Sequence, residues 1–229
     1  MNVSIIVPVL NEAAVVPELL RHLSGAGAWQ TIVVDGGSGD GTWERLNAAR
    51  SAPDILCRSG PGRAAQMNSG ARRASGDLLL FLHADTRLPD GALARVTEGL
   101  RQAPERRWGR FDVRFDHAGP TLKLVAAAMN RRSTWTSICT GDQAIFVRRE
   151  DFLDIGGFAA LPLMEDIDLS RRLKRRSRPL RIREPVTTSS RRWRENGVWK
   201  TIFLMWRLRW LFWRGVPAST LAARYRTVR

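Results

Sequence analysis

The stretch that most constrains this chain is Leu78-Leu79-Leu80-Phe81-Leu82-His83-Ala84-Asp85-Thr86, an apolar run that stops abruptly at a histidine and a carboxylate. A run this short and unbroken predicts a strand buried on both faces, as in a parallel sheet covered by helices. Residues after such a strand lie at its carboxyl end, where open α/β sheets bind their ligands. Asp85 is therefore a candidate for chemistry, although it could equally turn the chain towards the next helix.

Three further strand-helix units precede it. Ser4 to Val9 reads as a first buried strand, with Pro8 expected to end its backbone pairing. A helix follows, with Pro17 in its first turn and Val16, Leu19, Leu20 and Leu23 on one face. Thr31 to Val34 is a second strand, and it runs into Asp35-Gly36-Gly37-Ser38-Gly39-Asp40-Gly41-Thr42. Those glycines let backbone approach a ligand, and a helix from Thr42 to Ala49 would aim its N-terminus at the same place. Asp54 to Cys57 is a third strand. After it, Arg63 to Ala71 forms a helix of small residues, suited to lying close against a sheet or a ligand. Units that repeatedly deliver polar or glycine-rich residues to one sheet edge indicate a nucleotide-type α/β fold. No GxGxxG or Walker pattern occurs, so neither a dinucleotide dehydrogenase nor a P-loop NTPase is indicated.

Beyond a helix at Asp90 to Arg101 the pattern changes to alternation. Phe111, Val113 and Phe115 are separated by Asp112, Arg114 and Asp116, which predicts a strand with one core face and one wet face. A helix at Leu122 to Asn130, the segment Thr140-Gly141-Asp142-Gln143, a strand at Ala144 to Val147 and a Gly156-Gly157-Phe158 turn follow. Glu165, Asp166 and Asp168 then open a helix that runs to about Arg176. Acids at a helix N-terminus are stabilised by the macrodipole, but this cluster exceeds what capping needs.

The formal charge of +15 is unevenly spread: residues 1–170 hold 19 Lys+Arg against 20 Asp+Glu, and residues 171–229 hold 18 against 2. The basic excess thus belongs to the C-terminal quarter and predicts an anionic surface partner there. Trp199, Ile202, Phe203, Trp206, Trp210 and Trp213 recur at helical spacing with Arg207, Arg209 and Arg214 among them. This is the pattern of an amphipathic helix at a lipid interface. The same stripe could instead pack on the preceding domain or on a second copy of the chain in a homodimer. Two distant cysteines, Cys57 and Cys139, suit a reducing compartment. Met1 to Leu10 lacks a basic leader region and reads as a strand.

In combination, Ser4-Ile5-Ile6-Val7-Pro8-Val9-Leu10-Asn11-Glu12, Asp35 to Thr42, Leu82 to Thr86, Gly156-Gly157-Phe158 and Glu165-Asp166-Ile167-Asp168-Leu169 resemble the inverting family 2 glycosyltransferases of GT-A fold. The His-Ala-Asp form, with Thr140 to Gln143 and Ser190-Arg191-Arg192-Trp193, looks most like a small bacterial subgroup named for its neighbourhood with radical-SAM and selenium-domain proteins. The resemblance, which runs from about Ser4 to Trp193, implies a mostly parallel central sheet flanked by helices, and the basic helical tail lies beyond it. It places a catalytic domain at residues 1–193, with a nucleotide half to about 105 and an acceptor half beyond it, and the tail at 194–229.

It also implies roles. Pro8, Asn11 and Glu12 would line the donor pocket, Asp35 would meet the base, and Arg63 would sit near the pyrophosphate. Asp85 would hold Mg²⁺ or Mn²⁺ on the diphosphate. Asp166, paired with Glu165, would deprotonate the acceptor, which Gly141, Asp142, Gln143, Arg192 and Trp193 would bind. A hard cation neutralises charge on the leaving diphosphate, and a carboxylate near the acceptor hydroxyl takes its proton, so attack with inversion needs no covalent nucleophile.

His83 stands where the family usually has the first acid of its DxD motif, and as a ligand it would shift preference towards Mn²⁺. Ser189 replaces the glutamine of the QxxRW pattern found in processive synthases, so transfer of a single sugar is expected. The resulting expectation is a cytoplasmic enzyme at the inner face of the membrane, with a nucleotide-diphospho-sugar donor and no nucleic-acid partner; a lipid-linked acceptor would suit that setting, but the sequence does not identify the acceptor. A nucleotidyltransferase and a non-catalytic membrane- or nucleic-acid-binding module are the alternatives.

Overall fold

The computed structural model of the chain describes residues 1–117 and 119–226. Strands β1 (Val3–Val9), β2 (Gln30–Asp35), β3 (Ile55–Arg58) and β4 (Leu78–Phe81) are parallel, joined through helices α1 (Val16–Gly25), α2 (Thr42–Asn47) and α3 (Arg63–Arg73). All four β4 residues are buried, as the unbroken apolar run requires. Gly70 explains how α3 reaches the sheet: a Cβ there would come 3.2 Å from Val34 Cγ2 and nearer still to Ile6 Cγ2.

Pairing does not stop at Pro8, contrary to the sequence expectation. The β1–β2 ladder runs on to Val9 opposite Asp35, whereas the β1–β4 ladder ends at Ile6 opposite Phe81. The Ile6 carbonyl accepts from Leu82 N–H, and by the alternation of a strand the side of Pro8 that lacks an N–H faces the same way, where β4 has already turned off.

The chain then passes through β5 (Thr86–Arg87), α4 (Ala92–Gln102), β6 (Trp108–Phe115), α5 (Pro120–Thr136), a 3-10 turn (Gly141–Gln143), β7 (Phe146–Arg148), α6 (Arg149–Asp154) and α7 (Glu165–Leu173). It continues with β8 (Leu180–Thr188), α8 (Arg191–Asn196), α9 (Val198–Trp213) and α10 (Ala218–Arg226). One eight-stranded mixed sheet results, in the order β3-β2-β1-β4-β7-β6-β8-β5. Strand order reverses at β1, because β2 and β4 flank it, and that switch opens a crevice at the carboxyl ends. Antiparallel pairing of β7 with β4 brings the 3-10 turn that precedes β7 to this same edge.

The expected wet face of β6 is wet at Arg114 and Asp116, which are exposed, but not at Asp112. Asp112 is buried, and it pairs with the fully buried Arg110 of its own strand and with Arg181 Nη2 of β8 at 2.7 Å. Arg110 also donates to Asn130 O and Thr134 Oγ1 of α5, which fixes that helix on the sheet. The basic tail is built as helices whose Leu208 and Leu221 pack on Met164 and Ile167 at the start of α7. One face of α9 stays open, with Trp199, Phe203, Trp206, Trp210 and Trp213 all exposed. Among the described residues no helix is long and apolar enough to cross a membrane.

Candidate active site

Hydrogen bonds between the loops after β1 and β2 close one side of the crevice. Asn11, at φ 54°, donates its backbone amide to Ser38 Oγ at 2.9 Å and accepts Gly39 N–H on Oδ1 at 2.9 Å. The Glu12 amide donates to Thr42 Oγ1 at 2.8 Å, and the Ala13 amide to Asp40 at 3.0 Å. Asp35 is fully buried and accepts from the Ser38 hydroxyl and the Gly37 and Ser38 amides, with Arg58 Nε at 3.6 Å. Its carboxylate therefore shapes the glycine loop from within. Gln66 of α3, which the sequence analysis did not single out, ties both strand ends together by donating to Val9 O at 2.6 Å and Val34 O at 2.9 Å.

At the end of β4, His83 Nδ1 lies 3.2 Å from Asp142 Oδ1, and His83 Nε2 is buried without a partner beside Gly141. His83 is thus turned towards the carboxylate of the 3-10 turn through Nδ1, while Nε2 has no partner among the described residues. Burial pushes the Asp142 carboxyl up, but the His83 hydrogen bond and the nearby Arg63 and Arg192 charges outweigh it and hold the group at about 2. Asp142 is thus an anion throughout the physiological range.

The Gly141 amide donates to Asp166 Oδ2 at 2.9 Å, and the Ile167 amide reaches Oδ1 at 2.7 Å. Glu165 is buried beside it, 3.8 Å from Arg63 Nη1. Burial, and then the Asp166 charge, raise the Glu165 carboxyl, while Arg63 opposes both. Arg63 so joins the nucleotide half to the acids of α7. The third acid, Asp168, is committed to Arg172 Nε at 2.8 Å. Asn68 fixes the approach to α7 by clamping both backbone groups of Phe158, at 2.8 and 2.9 Å. Gly157, at φ 68°, leaves room for that clamp.

The expected acceptor residues divide. Gly141 and Asp142 line the crevice. Gln143 is fully buried and spends its amide on Ser133 Oγ at 3.0 Å, so its side chain positions the turn against α5 and reaches no acceptor. Arg192 stacks on Tyr225 of α10 at 4.4 Å, and Trp193 packs edge-on to Phe115 at 5.4 Å. Glu12 lies 3.8 Å from Arg191, so α8 touches the nucleotide loop. Two guanidiniums absent from the sequence-based set, Arg132 of α5 and Arg209 of α9, also bring their charges to bear on Asp166.

Among the described residues no three His, Cys, Asp or Glu side chains converge to hold a metal ion. Asp85, however, is half-buried at the crevice and has no side-chain hydrogen bond or ion pair among them. An unengaged carboxylate at this edge fits a hard cation whose remaining ligands come from a diphosphate and water.

These features match known proteins. The family model described as "Glycosyl transferase family 2" covers residues 4–161, and the chain belongs to that family. It is 35% identical over 161 residues to an undecaprenyl-phosphate 4-deoxy-4-formamido-L-arabinose transferase of Yersinia pestis, covering 64% of this chain and 48% of that one. A protein of the same name from Salmonella paratyphi A is 33% identical over 128 residues, covering 50% of this chain and 39% of that one. The chain thus spans half or less of the length of these relatives. Its fold is that of S. aureus TarS in complex with UDP-GlcNAc, with TM-score 0.67, 17% identity and coverage of 82% and 58%. It is likewise that of the mannosyltransferase PcManGT of Pyrobaculum calidifontis in complex with GDP-Man and Mn²⁺, with TM-score 0.63, 21% identity and coverage of 82% and 56%.

Proposed function

We propose that the protein transfers a single sugar, with inversion, from a nucleotide-diphospho-sugar to a lipid-linked acceptor at the inner face of the membrane. The observation that carries this reading is the meeting of both halves at one point: Arg63 reaches Glu165 across the crevice, while the Gly141 amide holds Asp166. Donor binding falls to the loops of Asn11, Glu12 and Asp35, with Pro8 beneath them and Arg63 beside the pyrophosphate. Asp85 would hold Mn²⁺ or Mg²⁺, which supplies charge neutralisation on the leaving diphosphate. For a hydroxyl acceptor, Asp166 is the carboxylate placed to take the proton.

The names of the curated relatives, undecaprenyl-phosphate sugar transferases, support a lipid acceptor. The His83-Ala84-Asp85 form supports the narrower placement beside the radical-SAM-associated subgroup. The open aromatic face of α9, with basic residues around it, supports attachment to anionic lipid, and the two free cysteines suit the cytoplasm.

Calorimetric titration of the full chain with UDP-, GDP- and dTDP-sugars, each with and without Mn²⁺, tests the reading. One donor class should bind, more tightly with metal, and Asp85→Ala should lose the metal-dependent part. Absence of binding by every donor would refute it.

A further inference from the structure

Arg58 ends β3 at the carboxyl edge of the sheet with its guanidinium braced but not satisfied. It is the register partner of Asp35, which is itself the partner of Val9, so the three residues form one row across β3, β2 and β1. Arg58 Nε lies 3.6 Å from Asp35 Oδ2, and its Cζ stands 4.2 Å over the ring of Trp43 in the first turn of α2. A carboxylate beside Nε and an indole under the guanidinium plane hold a flexible side chain in one orientation. That side chain is 54% exposed, and among the described residues it makes no hydrogen bond. Both Nη groups are therefore left to donate to something else.

The space around them is open. A Cβ on Gly37, Gly39 or Gly41 after β2, or on Gly60 or Gly62 after β3, would meet nothing within 4 Å. Place in the sheet indicates what comes there. Adjacent strands lie about 4.8 Å apart, so in the order β3-β2-β1-β4 the end of β3 is roughly 14 Å from that of β4. An extended donor with its diphosphate beside Asp85, after β4, crosses β1 and brings its base to the ends of β2 and β3.

A guanidinium fork offers two parallel N–H donors, and guanine answers it with two adjacent acceptors, O6 and N7. Adenine sets the N6 donor beside N7, and uracil separates its two carbonyls by the N3–H donor. Uracil would need an acceptor at this point. Asp35 does not supply one, because it is fully buried with the Ser38 hydroxyl, the Gly37 and Ser38 amides and Arg58 around its carboxylate. Cytosine has adjacent acceptors in N3 and O2, but O2 sits next to the glycosidic bond, where the ribose crowds it.

We propose that Arg58, braced by Trp43 and Asp35, reads the base of the donor and that this base is guanine, so that the donor is a GDP-sugar. This rests on the transferase reading and narrows its donor class. Asp35 is then a positioning residue, which turns Arg58 towards the base without touching it.

Calorimetry of the full chain with GDP, UDP, ADP and CDP in the presence of Mn²⁺ tests this. GDP should bind about tenfold or more tightly than each of the others, as expected of one bidentate base contact. Arg58→Lys keeps a positive charge beside Asp35 but loses the fork. It should bring GDP to within about twofold of UDP and leave the UDP affinity itself within about twofold of the parent value. Trp43→Leu frees the guanidinium to turn and should cut the GDP preference about threefold or more. Because Arg58 is exposed, the thermal midpoint of Arg58→Lys should stay within about 2 °C of the parent. A ratio of affinities measured on one sample is in any case insensitive to an unfolded fraction.

UDP, ADP or CDP binding as tightly as GDP to the parent would overturn the choice of guanine. A GDP preference unchanged in Arg58→Lys would overturn Arg58 as its reader, and an equal loss for all four nucleotides would make Arg58 a phosphate contact instead. Each of these results leaves the transferase reading standing, because a donor nucleotide still binds. Failure of all four nucleotides to bind would overturn both.

Discussion

Replacing Gly141 by alanine would put a methyl group where the ring of His83 already stands. The new Cβ would lie 2.7 Å from His83 Cε1 and closer still to Nε2, against about 3.4 Å for an ordinary contact. The ring or the turn must therefore move by roughly 1 Å, at the point where Gly141 N–H holds Asp166 and Asp142 meets His83. Overpacking of this kind costs about 1–3 kcal/mol, and a displacement of ~1 Å among catalytic groups costs on the order of a hundredfold in rate. Gly141→Ala should thus lower kcat about a hundredfold, while donor affinity, which we propose is set by the loops after β1 and β2, stays within about twofold of the parent value. A double-mutant cycle isolates the cause. Gly141 does not have positive φ, so alanine suits its backbone. Once the ring is gone, in His83→Ala, the same substitution should become neutral or stabilise by about 0.4–1 kcal/mol through the unfolded chain. Urea unfolding of the four proteins reads the sign directly. An equal cost of Gly141→Ala with and without the His83 ring would refute the reasoning.

Asp112→Ala strands the Arg110 guanidinium in the core, and loss of one partner of a buried pair costs about 3–5 kcal/mol. Its thermal midpoint should fall by about 6–20 °C, and a fall under about 2 °C would show that the pair is dispensable. Burial raises the Asp116 carboxyl, but hydrogen bonds from Ser190 and His117 outweigh it and hold the group at about 2. With the folded value below the unfolded one, its contribution, reduced by solvent screening of this exposed group to about 1 kcal/mol, is present above pH ~4 and lost as the pH falls towards 2. Asp116→Asn should flatten the acid limb of stability in that window, as read by urea unfolding at stepped pH. Trp206→Ser with Trp213→Ser removes exposed side chains only, so folding should be unchanged while affinity for phosphatidylglycerol vesicles falls about tenfold or more. Undiminished vesicle binding would exclude that edge of α9 as the contact.

The part of the site that could be read from sequence is the part that local order builds. Asp35, Asp85 and the Asp142 turn each sit at a strand end, so the pattern that reveals the strand also places the residue at the sheet's carboxyl edge. Glu165 and Asp166 open a helix for the same kind of local reason. Strand β8 escaped because its alternation, Leu180-Arg181-Ile182-Arg183, is interrupted at Pro185, and because Arg181 at its start reads as a solvated charge. Only the neighbouring strand supplies the carboxylate that allows Arg181 to be there, and the same pairing hides Asp112, whose place in an alternating run indicated the wet face. Arg132 and Arg209 illustrate this limit in its strongest form. They lie on two helices far apart in the chain, each among ordinary surface arginines, and no spacing distinguishes them from Arg131 or Arg207. Packing of α9 on Met164 and Ile167 brings Arg209 under the tail and against Asp166. The acids at the crevice are thus local in sequence, whereas these two cations come to bear on Asp166 only once the tail has folded back.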